Sequence, residues 1–337
     1  MLQKPLTFLS SINDDVWHKQ TGEGAFECWT FDAMSDDGRE VVSIKFYDNF
    51  ILSPRYVSQP LLRFPAVTFV YCVDGKKIYH KVVEYPAESV QSDGETAAMS
   101  IGKNTFRIDK ADYGSGYMVK LDLPSRGGRR IEVSLEWLSV DADMLEASGQ
   151  SVTAWNVAAP RSDVSGRITL IGRRGQEKKT CHFRGTGSHE QFRSNRSIVD
   201  TFATRQWGHA HFIDTTAFFC RQTVAVGEQV ERLYIIRDGK IEEYDAVFNQ
   251  KSLVRSRYGA RYPQTLTATT DCGINLEVRP ATVIDTGFSN VKLVSKMTLE
   301  LNDGKVRTTD GVAEFLTTAR MNNGLFRFLT GLGIKRN

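Results

Sequence analysis

The chain lacks the sequence patterns of many well-known catalytic and metal-binding classes. It contains no GxSxG elbow, no P-loop, no HExxH helix and no GxGxxG placed between a strand and a helix. Its 5 cysteines are widely spaced and include no CxxC pair, which argues against a disulfide framework and a zinc knuckle and fits a reducing compartment. We therefore expect neither a metal centre nor a cofactor.

Charge and hydropathy exclude further classes. The net charge of +3 is nearly balanced, so no nucleic-acid partner is expected. No apolar run approaches the roughly 20 residues that span a bilayer, and the first residues turn polar too soon for a secretory signal. These features predict a soluble, cytoplasmic protein. Residues 324–336 mix apolar and basic side chains, which leaves two alternatives: peripheral membrane contact, or packing of this tail on its own domain.

Strand signals dominate the sequence. Residues 41–47, 117–123 and 130–137 alternate apolar and polar side chains with period two. Asp-Gly pairs at 74–75 and 238–239 separate β-rich runs, which is the strongest short-range hairpin signal. We predict an all-β, mostly antiparallel chain, in which residues 310–320 allow either a strand or a short helix.

A polar stretch at residues 156–166 is the best candidate for a domain boundary. It divides the chain into residues 1–160 and 161–337. Each half has the size of one closed antiparallel barrel that can enclose a small apolar ligand.

The segment 185–209 carries most of the groups that could do chemistry. Within it, His189 and Glu190 follow a Gly-x-Gly sequence. A buried carboxylic acid can stay protonated near neutral pH and protonate an alkene, while a neighbouring imidazole relays the proton. The alternative is a polar rim that makes ordinary hydrogen bonds.

His209 and His211 stand two residues apart, so on a strand both point to one face. Two imidazoles in this arrangement can bind a metal, but no Cys or carboxylate follows at ligand spacing. A polar cavity lining is the preferred interpretation. Arg205 can orient an oxygenated or anionic end of a ligand, or pair with a carboxylate.

Four segments, in order along the chain, resemble the carotenoid 1,2-hydratase (hydroxyneurosporene synthase) and AttH-like family. Residues 27–33, ECWTFDA, are similar to its EWWYFDA opening, and residues 185–191, GTGSHEQ, to its mid-chain Gly-x-Gly-Tyr-His-Asp-His stretch. Residues 205–209, RQWGH, stand where the family has a Trp-Gly element. Residues 310–315, DGVAEF, are similar to its closing Gly-x-x-Glu-Phe/Tyr strand.

The resemblance implies two tandem lipocalin-like (calycin) barrels and a hydrophobic isoprenoid, polyene or polyketide as the small-molecule partner. By position, His189 and Glu190 match the family's His-Asp acid–base pair. The chain departs from the family pattern at Ser188, Glu190 and Gln191, where the family has Tyr, Asp and His. The residues expected to bind the substrate are Trp29, Asp32, Arg205, Trp207, His209 and His211.

The function expected from these observations is a cofactor-independent hydratase or cyclase of an isoprenoid or polyene. Glu190 would donate the proton, His189 would relay it or activate water, and Trp29 and Trp207 would stabilise the developing positive charge. Two alternatives stay open. One is a pericyclase of the Diels–Alderase kind, which mainly needs cavity shape, and the other is a non-catalytic carrier of lipids or pigments.

Overall fold

A computed structural model describes residues 6–111, 114–139, 144, 152–225, 227–332 and 334–336. The first elements are β1 (Thr7–Leu9), β2 (Phe26–Ser35), β3 (Glu40–Tyr47), β4 (Ala66–Val73), β5 (Lys76–Glu84), β6 (Val90–Gln91), β7 (Ala98–Ile101), β8 (Asn104–Ala111), β9 (Gly114–Pro124), β10 (Arg130–Ser139), β11 (Thr153–Ile171) and β12 (Glu177–Ser194). The remaining elements are α1 (Ile198–Thr201), β13 (Phe202–His211), β14 (Thr216–Val224), β15 (Gln229–Arg237), β16 (Lys240–Asp245), β17 (Val247–Arg255), β18 (Arg261–Thr269), β19 (Asn275–Thr286), β20 (Asn290–Glu300), β21 (Val306–Thr317), α2 (Gly324–Gly331) and β22 (Lys335–Arg336).

The strands form one sheet in each of two compact units. The first unit comprises Met1–Ser197 with Leu332–Asn337, and the second comprises Ile198–Gly331. The predicted boundary at residue 160 falls inside β11 of the first unit. The polar stretch 156–166 belongs to this strand, whose pairing with β12 shifts register at two points between Asn156 and Ser162. Bulges of this kind accommodate residues that a regular strand disfavours, including proline.

The sheet of the first unit runs in the order β22-β5-β4-β3-β2-β12-β11-β10-β9-β8-β7-β6, with β1 added in parallel to β11. Its strands β5 and β6 lie far apart in this order, yet only residues 85–89 connect them along the chain. The sheet must therefore curl until these strands approach each other, which gives a lipocalin-like barrel. Its interior holds a large cluster of buried apolar side chains, many of them aromatic.

The second sheet runs in the order β16-β15-β14-β13-β21-β20-β19-β18-β17. Its two edge strands are separated only by Ala246, so this sheet also curls into a barrel. Side chains of alternate residues fill its interior with an apolar cluster that includes Ala210, Phe219 and Leu293. The all-β fold of two tandem lipocalin-like barrels is thus confirmed.

Local sequence signals predicted several of these elements correctly. Strands β3, β9 and β10 cover the three predicted period-two runs. The hairpins β4–β5 and β15–β16 turn at Asp74-Gly75 and Asp238-Gly239, where all four residues have positive φ, as a type I′ turn requires. Residues 310–317, for which a helix was an alternative, form part of β21.

The C-terminal segment contains the amphipathic helix α2. Its side chains Leu325 and Phe328 are each 64% exposed. No helix in the described part of the chain is both long and apolar enough to cross a membrane.

Candidate functional site

His189 lies in β12 and points into the first barrel, where it is fully buried. Its Nε2 atom shares a hydrogen bond of 2.7 Å with Oδ2 of Asp15, and its Nδ1 atom lies 3.0 Å from the carbonyl oxygen of Thr30. The hydroxyl of Tyr117 donates a second hydrogen bond of 2.7 Å to Oδ2 of Asp15. An imidazole, a carboxyl group and a phenol therefore form one buried chain of hydrogen bonds.

The hydrogen bonds of His189 locate a proton in this chain. A carbonyl oxygen only accepts, so Nδ1 of His189 must carry the hydrogen that it donates to Thr30. A further proton then lies between Nε2 and Oδ2 of Asp15, whether the pair is a neutral imidazole with a carboxylic acid or an imidazolium with a carboxylate. In both forms the Asp15–His189 pair holds a proton that can be transferred.

Aromatic rings surround the pair. The imidazole of His189 stacks on Phe31 with a centroid distance of 3.9 Å and an interplanar angle of 10°. The ring of Tyr117 lies 4.4 Å and that of Phe106 lies 6.0 Å from the imidazole. Two buried polar atoms in this barrel, Oδ1 of Asp15 and Nε1 of Trp29, have no hydrogen-bond partner among the described residues. They are the groups that a polar atom of a ligand or a water could bind.

The N-terminal segment 10–20 positions Asp15. Ser10 donates a hydrogen bond to the carbonyl oxygen of Val157, and the side chain of Asn156 binds both backbone groups of Ser11. A turn then follows in which the backbone N–H of Asp15 donates to the carbonyl oxygen of Ile12. These contacts hold the segment against β11 and direct the carboxyl group towards His189.

The same segment brings His18 to a group of buried carboxylates. His18 contacts Asp14 at 3.5 Å and Glu27 at 3.2 Å. Burial opposes its protonation, but the hydrogen bonds to these two carboxylates outweigh that effect and raise the pKa of His18 to about 9. Burial, reinforced by the negative charge of Glu27, raises the pKa of Asp48. The segment is therefore held in part by charge.

Glu190 lies on the opposite face of β12 from His189. Its register partner in β2 is Thr30, whereas that of His189 is Phe31. The buried carboxylate of Glu190 accepts a hydrogen bond of 2.6 Å from Nε1 of Trp155. The structure thus does not bring together the two residues predicted as an acid–base pair, because neighbours along a strand point to opposite faces.

The Gly-x-Gly sequence before His189 serves strand packing. A Cβ atom at Gly185 would lie 2.0 Å from the carbonyl oxygen of Met34, and one at Gly187 would lie 2.3 Å from that of Asp32. Only glycine permits β12 to approach β2 this closely. The two glycines therefore position the strand that carries His189.

Trp29 and Asp32, predicted to bind the substrate, occupy different faces of β2. Trp29 is fully buried in the first barrel, with its ring 5.8 Å from that of Phe106. Asp32 is buried on the other face, and its carbonyl oxygen accepts a hydrogen bond of 3.4 Å from Nε1 of Trp137. Of these two residues, Trp29 is the one that shares the interior with His189.

The other four predicted binding residues lie on one face of β13 in the second unit. The guanidinium of Arg205 lies over the ring of Trp207 at 4.4 Å, and the rings of His209 and His211 are 5.2 Å apart. This face is opposite to the one that carries Ala210 into the apolar interior. No group of three or more His, Cys, Asp or Glu side chains placed to hold a metal ion occurs among the described residues.

Sequence reasoning missed Asp15 and Tyr117. Asp15 is 174 residues from His189 in the chain, and no motif singles it out. Tyr117 begins a predicted strand, where its period-two position indicates burial but not a partner. Only the closure of the barrel brings these side chains together.

Comparison with known proteins bears on the fold of the chain. No protein-family model matches the chain. It is 22% identical over 348 residues to a hydroxyneurosporene dehydrogenase of Chlorobaculum tepidum, a match that covers 95% of this chain and 90% of that protein.

Solved structures show the same fold. An AttH-like protein of Nitrosomonas europaea is 13% identical with a TM-score of 0.61, covering 92% of this chain and 97% of its own. CghA, solved with Sch210972, is 15% identical with a TM-score of 0.60, covering 87% of this chain and 88% of its own. The resemblance seen in the sequence is therefore confirmed: this chain is similar to the hydroxyneurosporene dehydrogenase along nearly its whole length and shares the fold of the AttH-like protein.

Proposed function

We propose that the protein is a hydratase or cyclase that protonates a double bond of a hydrophobic isoprenoid or polyene inside the first barrel. The observation that carries this proposal is the buried chain Tyr117–Asp15–His189, in which Oδ1 of Asp15 has no partner among the described residues. The similarity to a hydroxyneurosporene dehydrogenase supports a carotenoid-like substrate. The surrounding aromatic rings suit both the apolar substrate and a cationic intermediate.

In the proposed reaction, the carboxyl group of Asp15 delivers the proton that the Asp15–His189 pair holds to one carbon of the double bond, and the other carbon becomes cationic. Aromatic faces such as that of Trp29 stabilise a desolvated cation by about 0.5–2 kcal/mol each. In a hydratase, water adds to the cation and loses a proton. In a cyclase, a second double bond of the substrate attacks the cation, and a neighbouring carbon loses the proton. The proton returns to the Asp15–His189 pair, so this step needs no cofactor.

Product mass distinguishes the possible reactions. The purified protein is incubated with hydroxyneurosporene and with other acyclic polyenes, and the extract is analysed by chromatography and mass spectrometry. The gain of one water supports a hydratase, and an isomer with a new ring supports a cyclase or a pericyclase, which the variants of Asp15 then distinguish. A product that has two hydrogens fewer than the substrate would indicate a dehydrogenase, which is the activity in the relative's name, and would contradict the proposal. A polyene that is bound tightly but recovered unchanged would indicate a carrier.

Two variants test the assignment of the acid. Asp15→Asn keeps the size of the side chain but removes the carboxyl group, and we expect turnover to fall by about 10²–10⁴ while the polyene still binds. Glu190→Gln is the matched control, because Glu190 is also a buried carboxylate but lies on the other face of β12. The opposite result, an active Asp15→Asn and an inactive Glu190→Gln, would assign the acid to Glu190.

A pericyclase is the second candidate, and the shared fold with CghA, which was solved with the small molecule Sch210972, favours it. A pericyclic reaction also forms an isomer, but its bonds form in one concerted step that no protonation initiates. Asp15→Asn would then change turnover little, whereas changes in the shape of the cavity would change it strongly.

Membrane contact through α2 is a further part of the proposal. Leu325 and Phe328 lie one turn apart and are both exposed, as is Leu332 just beyond the helix, while Lys335 and Arg336 add positive charge. We expect the protein to sediment with vesicles that contain phosphatidylserine and much less with pure phosphatidylcholine. The double substitution Leu325→Ser and Phe328→Ser should abolish sedimentation with vesicles. Unchanged sedimentation would contradict the proposal that α2 contacts the membrane.

A further inference from the structure

Gln222 in β14 is fully buried, and neither its amide oxygen nor its amide nitrogen has a hydrogen-bond partner among the described residues. Nearly all buried polar groups in folded proteins are paired, because an unpaired one loses its hydration without compensation. A side chain with two unpaired polar atoms therefore destabilises the fold unless something binds it. Its persistence at a buried position indicates a function in binding.

The neighbours of Gln222 lie on the outer face of the second sheet. Gln222 stands directly opposite Arg205 of β13, and Phe218 stands opposite His209. Side chains paired in this way have Cβ atoms about 5 Å apart. The buried guanidinium of Arg205 in turn covers Trp207, so the strand register places amide, guanidinium and indole next to one another on this face.

We propose that Gln222 and Arg205 bind a hydroxyl group of an otherwise apolar ligand, while Trp207 and Phe218 contact its hydrocarbon chain. A guanidinium only donates hydrogen bonds, whereas an amide both donates and accepts. A hydroxyl oxygen can accept from Arg205 while its hydrogen is donated to Oε1 of Gln222. A pure hydrocarbon leaves both amide atoms of Gln222 unpaired. Gln222 is thus a residue that selects oxygenated over unoxygenated ligands.

This inference rests on the proposed function for the class of ligand but not for the proton chemistry at Asp15. The test therefore measures binding and no turnover. Phytol and phytene serve as probes, because they share an isoprenoid skeleton and differ in the hydroxyl group. Their dissociation constants are measured by quenching of tryptophan fluorescence. The wild type must bind phytol more tightly than phytene, and equal affinities would overturn the inference.

Gln222→Met replaces the amide by an apolar chain of similar length. We expect its affinity for phytol to fall about tenfold, its affinity for phytene to be unchanged, and the melting temperature of the ligand-free protein to be unchanged or higher. The matched control is Gln206→Met, on the other face of β13, where the amide nitrogen of Gln250 donates to Gln206 at 2.8 Å. This control should lower the melting temperature and leave the ratio of the two affinities intact. A Gln222→Met protein that behaves like the control would show a purely structural role.

Discussion

The interiors of the two barrels differ in the chemistry that they bury. The first holds a carboxyl group, an imidazole and a phenol among aromatic rings. The second holds an apolar cluster that includes Ala210, Phe219 and Leu293, and Arg205, His209 and His211 of its strand β13 lie on the outer face. Similar barrels can thus place polar groups either inside or outside, depending on which alternate positions of a strand carry them.

The origin of the buried carboxyl group explains much of this difference. Asp15 belongs to the N-terminal segment 10–20 and not to a barrel strand. The strands of the first barrel supply His189 and the aromatic wall, and the segment that packs against β11 adds the acid.

The largest expected effect comes from removing one aromatic ring in each barrel. Phe31→Ala and Phe219→Ala should each lower the free energy of unfolding by about 3–5 kcal/mol, because both rings are fully buried. Only Phe31 stacks on His189, so only Phe31→Ala should also reduce turnover per folded molecule. Denaturant unfolding and product analysis measure the two quantities. An equal loss of turnover in both variants would show that the difference between the interiors has no functional consequence.

A smaller contrast concerns two buried hydroxyl groups. Tyr117→Phe removes the hydrogen bond to Asp15 and should cost about 1–3 kcal/mol of unfolding free energy. Ser295 faces the interior of the second barrel, and its hydroxyl has no hydrogen-bond partner within the described ranges. Ser295→Ala should therefore change stability by less than about 0.5 kcal/mol or raise it slightly. If urea unfolding shows a comparable loss of unfolding free energy in both variants, the hydrogen bond between Tyr117 and Asp15 is not what stabilises the fold.

The smallest expected effect is a dependence of stability on pH. The pKa of His18 rises from 6.5 in the unfolded chain to about 9, so its contribution is complete below pH 6.5 and lost as the pH rises through 9. The raised pKa of Asp48, about 7, acts in the same direction at lower pH, because stability falls between pH 3.8 and about pH 7, where this carboxyl group is ionised only in the unfolded chain. The melting temperature should therefore fall between pH 6.5 and about 9, and less steeply in His18→Asn. If the melting temperature falls with pH equally steeply in the wild type and in His18→Asn, His18 is not the cause of the pH dependence.

Sequence patterns predicted the features that depend on near neighbours. The turns at Asp74-Gly75 and Asp238-Gly239 follow from the freedom of these residues at positive φ. The shared face of His209 and His211 follows from the period of a strand. The resemblance to AttH-like proteins predicted the repeated barrel correctly, because that match extends along the whole chain.

The prediction for the candidate site was less complete. His189 lies at the centre of the buried cluster, and the acid–base role that the resemblance implied for it stays a prediction. Glu190 faces away from it, and the pairing of β12 with β2 decides which of the two neighbours points inward. The polar composition of residues 156–166 suggested a domain boundary, whereas pairing with β12 makes this stretch part of a strand.

By itself, the amino-acid sequence determined the strands, the tight turns and the likeness to a two-barrel family, since these depend on local conformational preferences and on order along the chain. The tertiary structure alone decided that Asp15 meets His189 across 174 residues and that Gln222 is buried without a partner. The physical reason is that curling a sheet assigns each side chain to the inside or the outside. That assignment depends on the pairing of distant strands, which no local pattern contains.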